Sequence, residues 1–194
     1  MTLAMSSTVP HPIEKFKHYI VGDFDNHRQV ERERQQGKPV HPYAKHVNRR
    51  AEAKIRNLPE KVNGIYVLEE SYYKYDGQDT LVKPYLFFFE QMPNGNVRLH
   101  SLQLPKDIPA KEVRNDNPNL FFDYLALRPS PTFAPAEYTL TDQGFYIKAH
   151  NPFPGGSFTL EETIGPDGLV VMELLVRDGK QVTPYSEPII YERL

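Results

Sequence analysis

The chain is 194 residues long, carries a formal charge of -2 at neutral pH and contains no cysteine. Disulfides, thiolate nucleophiles, cysteine-ligated zinc and thioether attachment of a cofactor are therefore excluded, and so even a charge balance supplies no global field to attract nucleic acid or anionic lipid. The opening MTLAMSSTVP lacks a basic segment followed by an apolar run, and no stretch of about twenty apolar residues occurs, so the expected address is the cytoplasm, with no membrane partner.

A chain of this size can bury about 70% of the surface it exposes when unfolded, enough for a core without covalent staples. Apolar residues are spread evenly beyond the first forty. One domain over residues 12–194 is expected, preceded by a flexible N-terminus at 1–11.

Residues 13–36 read as helical, because Phe16, Tyr19, Ile20 and Phe24 recur at spacings of three and four. Asp23 or Asp25 could cap a second helix, which Gly37 ends. From Tyr43 the period changes to two. One face of residues 43–55 would carry Lys45, Val47, Arg49, Ala51, Ala53 and Ile55, and the other His46, Asn48, Arg50, Glu52 and Lys54. The second face is wholly polar and is assigned to water, which turns Arg49 inward; a helical reading of 48–56 is the alternative.

Residues 64–75 alternate again, with aromatic or branched side chains on both faces, so this strand should be covered on both sides. Asp76-Gly77 leads into a strand at 82–91, and Pro93-Asn94-Gly95-Asn96 carries the Asn-Gly mark of a tight hairpin into 97–103. Residues 105–135 lose the rhythm around one apolar island, 120–125, which would cross an end of the barrel as a short helical turn. Strands resume at 136–140, 144–149, 157–164, 169–177 and 188–193, joined by hairpin-type turns. Nine or ten sequential antiparallel strands are most simply an up-and-down barrel, closed so that no edge is left exposed.

Twelve Tyr and eleven Phe, with no Trp, suit either an ordinary core or a lined cavity. No phosphate loop, nucleophile elbow or zinc-protease motif is present. Of the seven histidines only His41 and His46 are close, and a spacing of five puts them on opposite strand faces, so no metal site is expected. The basic group Lys45, His46, Arg49, Arg50, Lys54 and Arg56 reads as a solvated face balanced by Glu52, not as a nucleic-acid site.

Glu69 and Glu70 are neighbours in a strand, so one of them faces the interior. A carboxylate there requires a cation, a donor or trapped water, and Arg49 is the expected partner, with Tyr72, Tyr85 and Arg98 nearby. The wall around them would be Phe87, Phe89, Phe145 and Phe158, the mixture a small-molecule site requires. The arginine's planar fork would suit a carboxylate on the ligand. A buried ion pair without any ligand is the plain alternative.

These residues bring a family into view. Val21-Gly22-Asp23-Phe24-Asp25-Asn26-His27-Arg28-Gln29 is similar to the opening G-x-F-x-N-x-x-Q of chromophore lyases of the CpeT/CpcT type. Gly64-Ile65-Tyr66-Val67-Leu68-Glu69-Glu70-Ser71-Tyr72 resembles their strand G-x-x-x-x-V-E-Q-A, with Glu70 at the glutamate position. Lys83-Pro84-Tyr85 resembles the start of their P-Y-R-Q-R segment, and the closing Ile190-Tyr191-Glu192-Arg193 suits the same barrel. The chain departs from the pattern at Leu86-Phe87-Phe88, where the family has R-Q-R, and in lacking its later cysteines.

The resemblance implies a calycin (lipocalin-like) barrel that binds an open-chain tetrapyrrole and transfers it to a cysteine of an acceptor protein. Glu70 would be the acid that protonates the pyrrolic system, and Arg49, Tyr72, Tyr85, Phe87 and Arg98 would contact the ligand. The expectation is thus a barrel for a hydrophobic carboxylated molecule such as a bilin, with no other cofactor, no metal and no nucleic-acid partner. Two alternatives stay open: a non-enzymatic carrier or sensor for lipid or haem-like molecules, and a filled barrel acting through its surface at 120–125.

Overall fold

The computed structural model of the chain describes residues 12–194; the stretch 1–11, expected to be flexible, lies outside the described residues. The chain starts with α1 (Pro12–Ile20), β1 (Gly22–Asp25) and α2 (His27–Gln35). β2 (Tyr43–Arg50) and the short β3 (Ile55–Arg56) follow, then β4 (Gly64–Lys74), β5 (Leu81–Gln91) and β6 (Val97–Leu102). An irregular stretch holds β7 (Phe122–Asp123). Last come β8 (Ala136–Thr141), β9 (Gly144–Phe153), β10 (Gly156–Ile164), β11 (Gly168–Arg177), β12 (Lys180–Gln181) and β13 (Ile189–Arg193).

Ten of these strands close an antiparallel barrel in the order β1-β2-β4-β5-β6-β8-β9-β10-β11-β13 and back to β1. Each strand pairs with the next barrel strand in the chain, which is the expected up-and-down path. The ring closes where Phe24 pairs with Arg193 and Asp25 with Glu192. The tight turn after β5 is built as its Asn-Gly pair predicts: Gly95 takes φ 88°, a conformation that costs glycine little.

One end of the barrel is stoppered by α1. Its apolar positions Ile13, Phe16 and Ile20 fall on one face and are buried. Phe16 is fully enclosed, with its ring centroid 4.8 Å from Phe89, 5.0 Å from Phe145 and 5.3 Å from Tyr138. Both helix ends are tied to the barrel, since Ile13 N–H donates to Gln91 Oε1 at 3.0 Å and Asn48 Nδ2 donates to the Ile20 carbonyl at 3.1 Å.

A second core lies outside the barrel. Tyr66, Leu68 and Leu86, on the outer faces of β4 and β5, are covered by Val113, Leu120 and Phe122 from the stretch between β6 and β8. The parallel pairing of β3 with β7 fastens that cover. The apolar island therefore packs on the flank of the barrel instead of crossing its end.

Three further expectations are corrected. The run 13–36 is not continuous helix, because β1 interrupts it. Phe24 serves the barrel interior there, opposite His46. The strand beginning at Tyr43 stops at Arg50, Glu52–Lys54 forms one 3-10 turn and Ile55–Arg56 is a separate short strand, so neither the continuous strand over 43–55 nor the helix over 48–56 holds. The faces of β2 are also reversed: Ala44, His46 and Asn48 are buried inside, while Lys45, Val47 and Arg49 point outward and stay part-exposed. The interior accepts His46 and Asn48 because each meets a polar partner there, Glu69 for His46 and the Ile20 carbonyl for Asn48.

Candidate functional site

The half of the barrel away from α1 is hollow. A cavity of about 400 Å³ opens there, with Leu81, Lys83 and Val182 at its exposed rim. Alternation along each strand builds the wall. From β5 come Tyr85 and Phe87, whose rings stack at 5.6 Å with a 10° interplanar angle, and β10 adds Phe158 and Leu160. Phe133 leans edge-on against Phe158 from the loop before β8, at 5.3 Å.

The inner end is not apolar. β4 turns Glu69, Ser71 and Tyr73 inward, and β11 turns Glu173 inward between Val171 and Leu175; Glu69, Tyr73 and Glu173 line the cavity. Glu69 Oε1 accepts from the Ser71 hydroxyl at 2.8 Å and lies 3.4 Å from His46 Nδ1. Tyr73 donates to Glu173 Oε2 at 3.4 Å, and behind them Tyr138 donates to Glu162. The His46 ring packs on Tyr191 with centroids 4.3 Å apart.

Crowding three carboxyls around one imidazole in a poorly hydrated space divides their proton affinities. Burial, helped by the charges of Glu69 and Glu173, pushes Glu162 up to about 7, against the Tyr138 hydrogen bond and His46. Burial likewise raises Glu173, with Glu69 adding to it and His46 opposing. At Glu69 burial also works upward, but His46 and the hydrogen bonds from its neighbours outweigh it and hold this carboxyl below its ordinary value. Burial disfavours the proton of His46, yet Glu69, Glu173 and Glu162 keep its affinity above the usual imidazole range. The result is a His46–Glu69 ion pair beside two carboxyls of raised proton affinity. Tyr73 and Tyr85 stay neutral donors, because burial raises both.

Of the residues singled out from the sequence, Tyr85 and Phe87 line the cavity, as does Phe158. Phe89 and Phe145 belong to the packed end around Phe16. Glu70 points the other way. It is 4% exposed on the outer face of β4, where its carboxylate accepts from Tyr72 OH at 2.5 Å and from the Asn115 N–H at 2.7 Å, with Arg114 Nε at 3.7 Å. Asn115 in turn donates to the carbonyls of Val47 and Leu68. Glu70 and Tyr72 thus pin the outer cover to the barrel and do not reach the cavity; burial and the Glu70 hydrogen bond push the Tyr72 hydroxyl up to about 12.

Arg49 and Arg98 also sit on the outer wall. Arg49 Nη2 meets Asp23 Oδ1 at 2.8 Å with 43% of its side chain exposed, and Arg98 Nη2 meets Glu137 Oε1 at 2.7 Å. The arginine expected to meet a ligand carboxylate is therefore absent from the interior. The inward member of the Glu69-Glu70 pair is Glu69, and its cation is His46.

Sequence reasoning missed His46, Glu162 and Glu173 as site residues. A signal existed for Glu173: on the face Leu169, Val171, Glu173, Leu175 it is a carboxylate in an otherwise apolar row. Among the described residues, no group of three or more His, Cys, Asp or Glu is spaced to hold a metal ion, and no helix is long and apolar enough to cross a membrane. Comparison with protein-family models, with curated proteins and with solved structures returns no match to this chain.

Proposed function

We propose that this protein binds a small, mostly apolar molecule inside its barrel. The observation that carries this reading is the cavity of about 400 Å³, whose aromatic and aliphatic wall ends in a few convergent ionisable groups. A barrel that acted only through its surface would gain by filling such a space, because interiors pack to crystal-like density and voids cost stability. Holding a molecule is common to a carrier, a sensor and a transfer protein.

Transfer of a linear tetrapyrrole, as the resemblance to chromophore lyases implies, is a second reading. What favours it is a carboxyl of raised proton affinity on the cavity wall, Glu173, which could supply the acid once assigned to Glu70. The reactive thiol would belong to the acceptor protein. The calycin relationship and a cytoplasmic location belong to this reading as well.

Ala149 lines the cavity with a small side chain, so Ala149→Phe should occupy the space at little cost to the fold. Dodecanol, followed by calorimetry and by tyrosine emission in a chain that has no tryptophan, should bind the unaltered protein in the micromolar range, about -8 kcal/mol; biliverdin is the probe of the second reading. Binding should be at least about tenfold weaker in Ala149→Phe. Equal affinity of both proteins for each probe would remove the cavity from the function. Biliverdin that binds but never passes to an acceptor thiol would leave a carrier.

A further inference from the structure

The wall of the cavity says little about which apolar molecule it takes, but its inner end is specific. His46, Glu69, Glu162 and Glu173 come from four different strands and gather at that end; of these Glu69 and Glu173 line the cavity, beside the hydroxyls of Tyr73 and Tyr85. Among the described residues no arginine lines the cavity. Lys83 is, among the described residues, the one Lys or Arg that lines it, and it stands at the exposed rim with its ammonium 5.7 Å from the centre of the Tyr73 ring.

A second observation does not depend on the acids. His46 is 5% exposed and is turned into the same interior, yet neither of its ring nitrogens finds a hydrogen-bond partner among the described residues. Its nearest anion, Glu69, is 3.4 Å away. Its Nδ1 is already ion-paired with Glu69, so the ring nitrogen left with no partner is Nε2, the kind of buried group that a water or a ligand atom satisfies. Glu69 and Glu173, which both border the cavity, keep acceptor capacity beyond the single hydroxyl that each receives.

Resting on the reading of the barrel as a small-molecule site, we infer that its ligand is an apolar molecule ending in a protonated amine or a similar nitrogen donor, seated head-inward on Glu69 and Glu173 with its tail along Phe87, Phe158 and Leu160. An ammonium presents three donors and no acceptor, which matches the carboxylate oxygens of Glu69 and Glu173. A carboxylate head would meet like charge in a space that screens it poorly, a repulsive element that selects against it. The empty site keeps part of its acid protonated; a cation entering it favours the ionised carboxylates and displaces a proton to water.

Dodecylamine, dodecanol and dodecanoate share one tail and differ only in the head. In calorimetric titrations below their aggregation concentrations, the amine should bind at least about tenfold more tightly than the alcohol, and dodecanoate should bind most weakly. Glu173→Gln should reduce the advantage of the amine over the alcohol several-fold, and Ala149→Phe should abolish binding of all three. The ranking of heads is measured on the unaltered protein, so it decides the matter even where Glu173→Gln fails to fold. Dodecanoate binding as tightly as the amine overturns the head-group assignment and leaves the cavity a binding site. An amine preference that persists in Ala149→Phe places the amine on the outer surface and overturns it too. Failure of all three to bind overturns this inference together with the reading on which it rests.

Discussion

The two ends of the barrel are made of similar side chains and come out differently. At one end Phe89, Tyr138 and Phe145 close around Phe16 from α1 and leave no space. At the other, Tyr85, Phe87 and Phe158 line a cavity, which among the described residues is bordered by the rim segment around Val182 and Tyr185 and by Phe133. Aromatic content therefore does not decide between core and pocket. What decides is whether the chain supplies a plug, and α1 supplies one to a single end.

The most severe test of this contrast removes one ring from each end. Phe16→Ala should destabilise the protein by about 3 to 5 kcal/mol, since the hole it leaves is walled on every side. Phe158→Ala enlarges a space that is already open, so it should cost roughly half of that or less. Urea unfolding with a shared m-value checks both; equal losses would mean that the two ends are equally packed.

The acid cluster sharpens the contrast through pH. Burial pushes the Glu162 carboxyl up to about 7. The folded state then holds a proton that the unfolded chain has released, so this contribution is complete below the ordinary carboxylate range and is lost as pH rises to about 7. His46, whose affinity its three acid neighbours raise against the effect of burial, loses its contribution in the same direction as pH passes through its folded value. Glu69, held low, acts only below this window. Unfolding free energy should fall by on the order of 2 to 3 kcal/mol between about pH 5 and about pH 8. Glu162→Gln should flatten most of that slope, and an unchanged slope in the variant would assign the titration elsewhere.

A smaller effect separates the two faces of β4. Glu70→Leu should cost about 2 kcal/mol, because the Asn115 N–H and the Tyr72 hydroxyl lose their acceptor. Amide exchange should quicken in the cover around residues 110–120 while ligand affinity stays the same. Lost affinity with an undisturbed cover would restore Glu70 to the site.

The architecture was legible because it rests on local signals. The two-residue rhythm after Tyr43, the Asn94-Gly95 turn and the short links between the later strands lead directly to a sequential barrel. The direction of each face was not legible, for a physical reason. Where both faces of a strand are covered, alternation loses its sign, and β4 carries Tyr66 and Leu68 outward under the cover just as it carries Ile65 and Val67 inward. β2 misleads for the complementary reason: its inward His46 and Asn48 serve a polar interior, so they resemble residues meant for water. That reversed parity turns Arg49 inward, and the preference for a carboxylated ligand rests on its planar fork; Glu70 comes from the glutamate position of the resembling strand. β1 is four residues long and lies between two helical patterns, which conceal it.

The account stands on one asymmetry, a barrel sealed at the α1 end and open to ligand at the other. Aromatic side-chain NMR during titration with dodecylamine reports on both ends at once. The signals of Tyr85, Phe87 and Phe158 should shift with a common saturation curve while those of Phe16 and Phe145 stay in place. Shifts confined to surface residues, or spread equally over both groups, would contradict it.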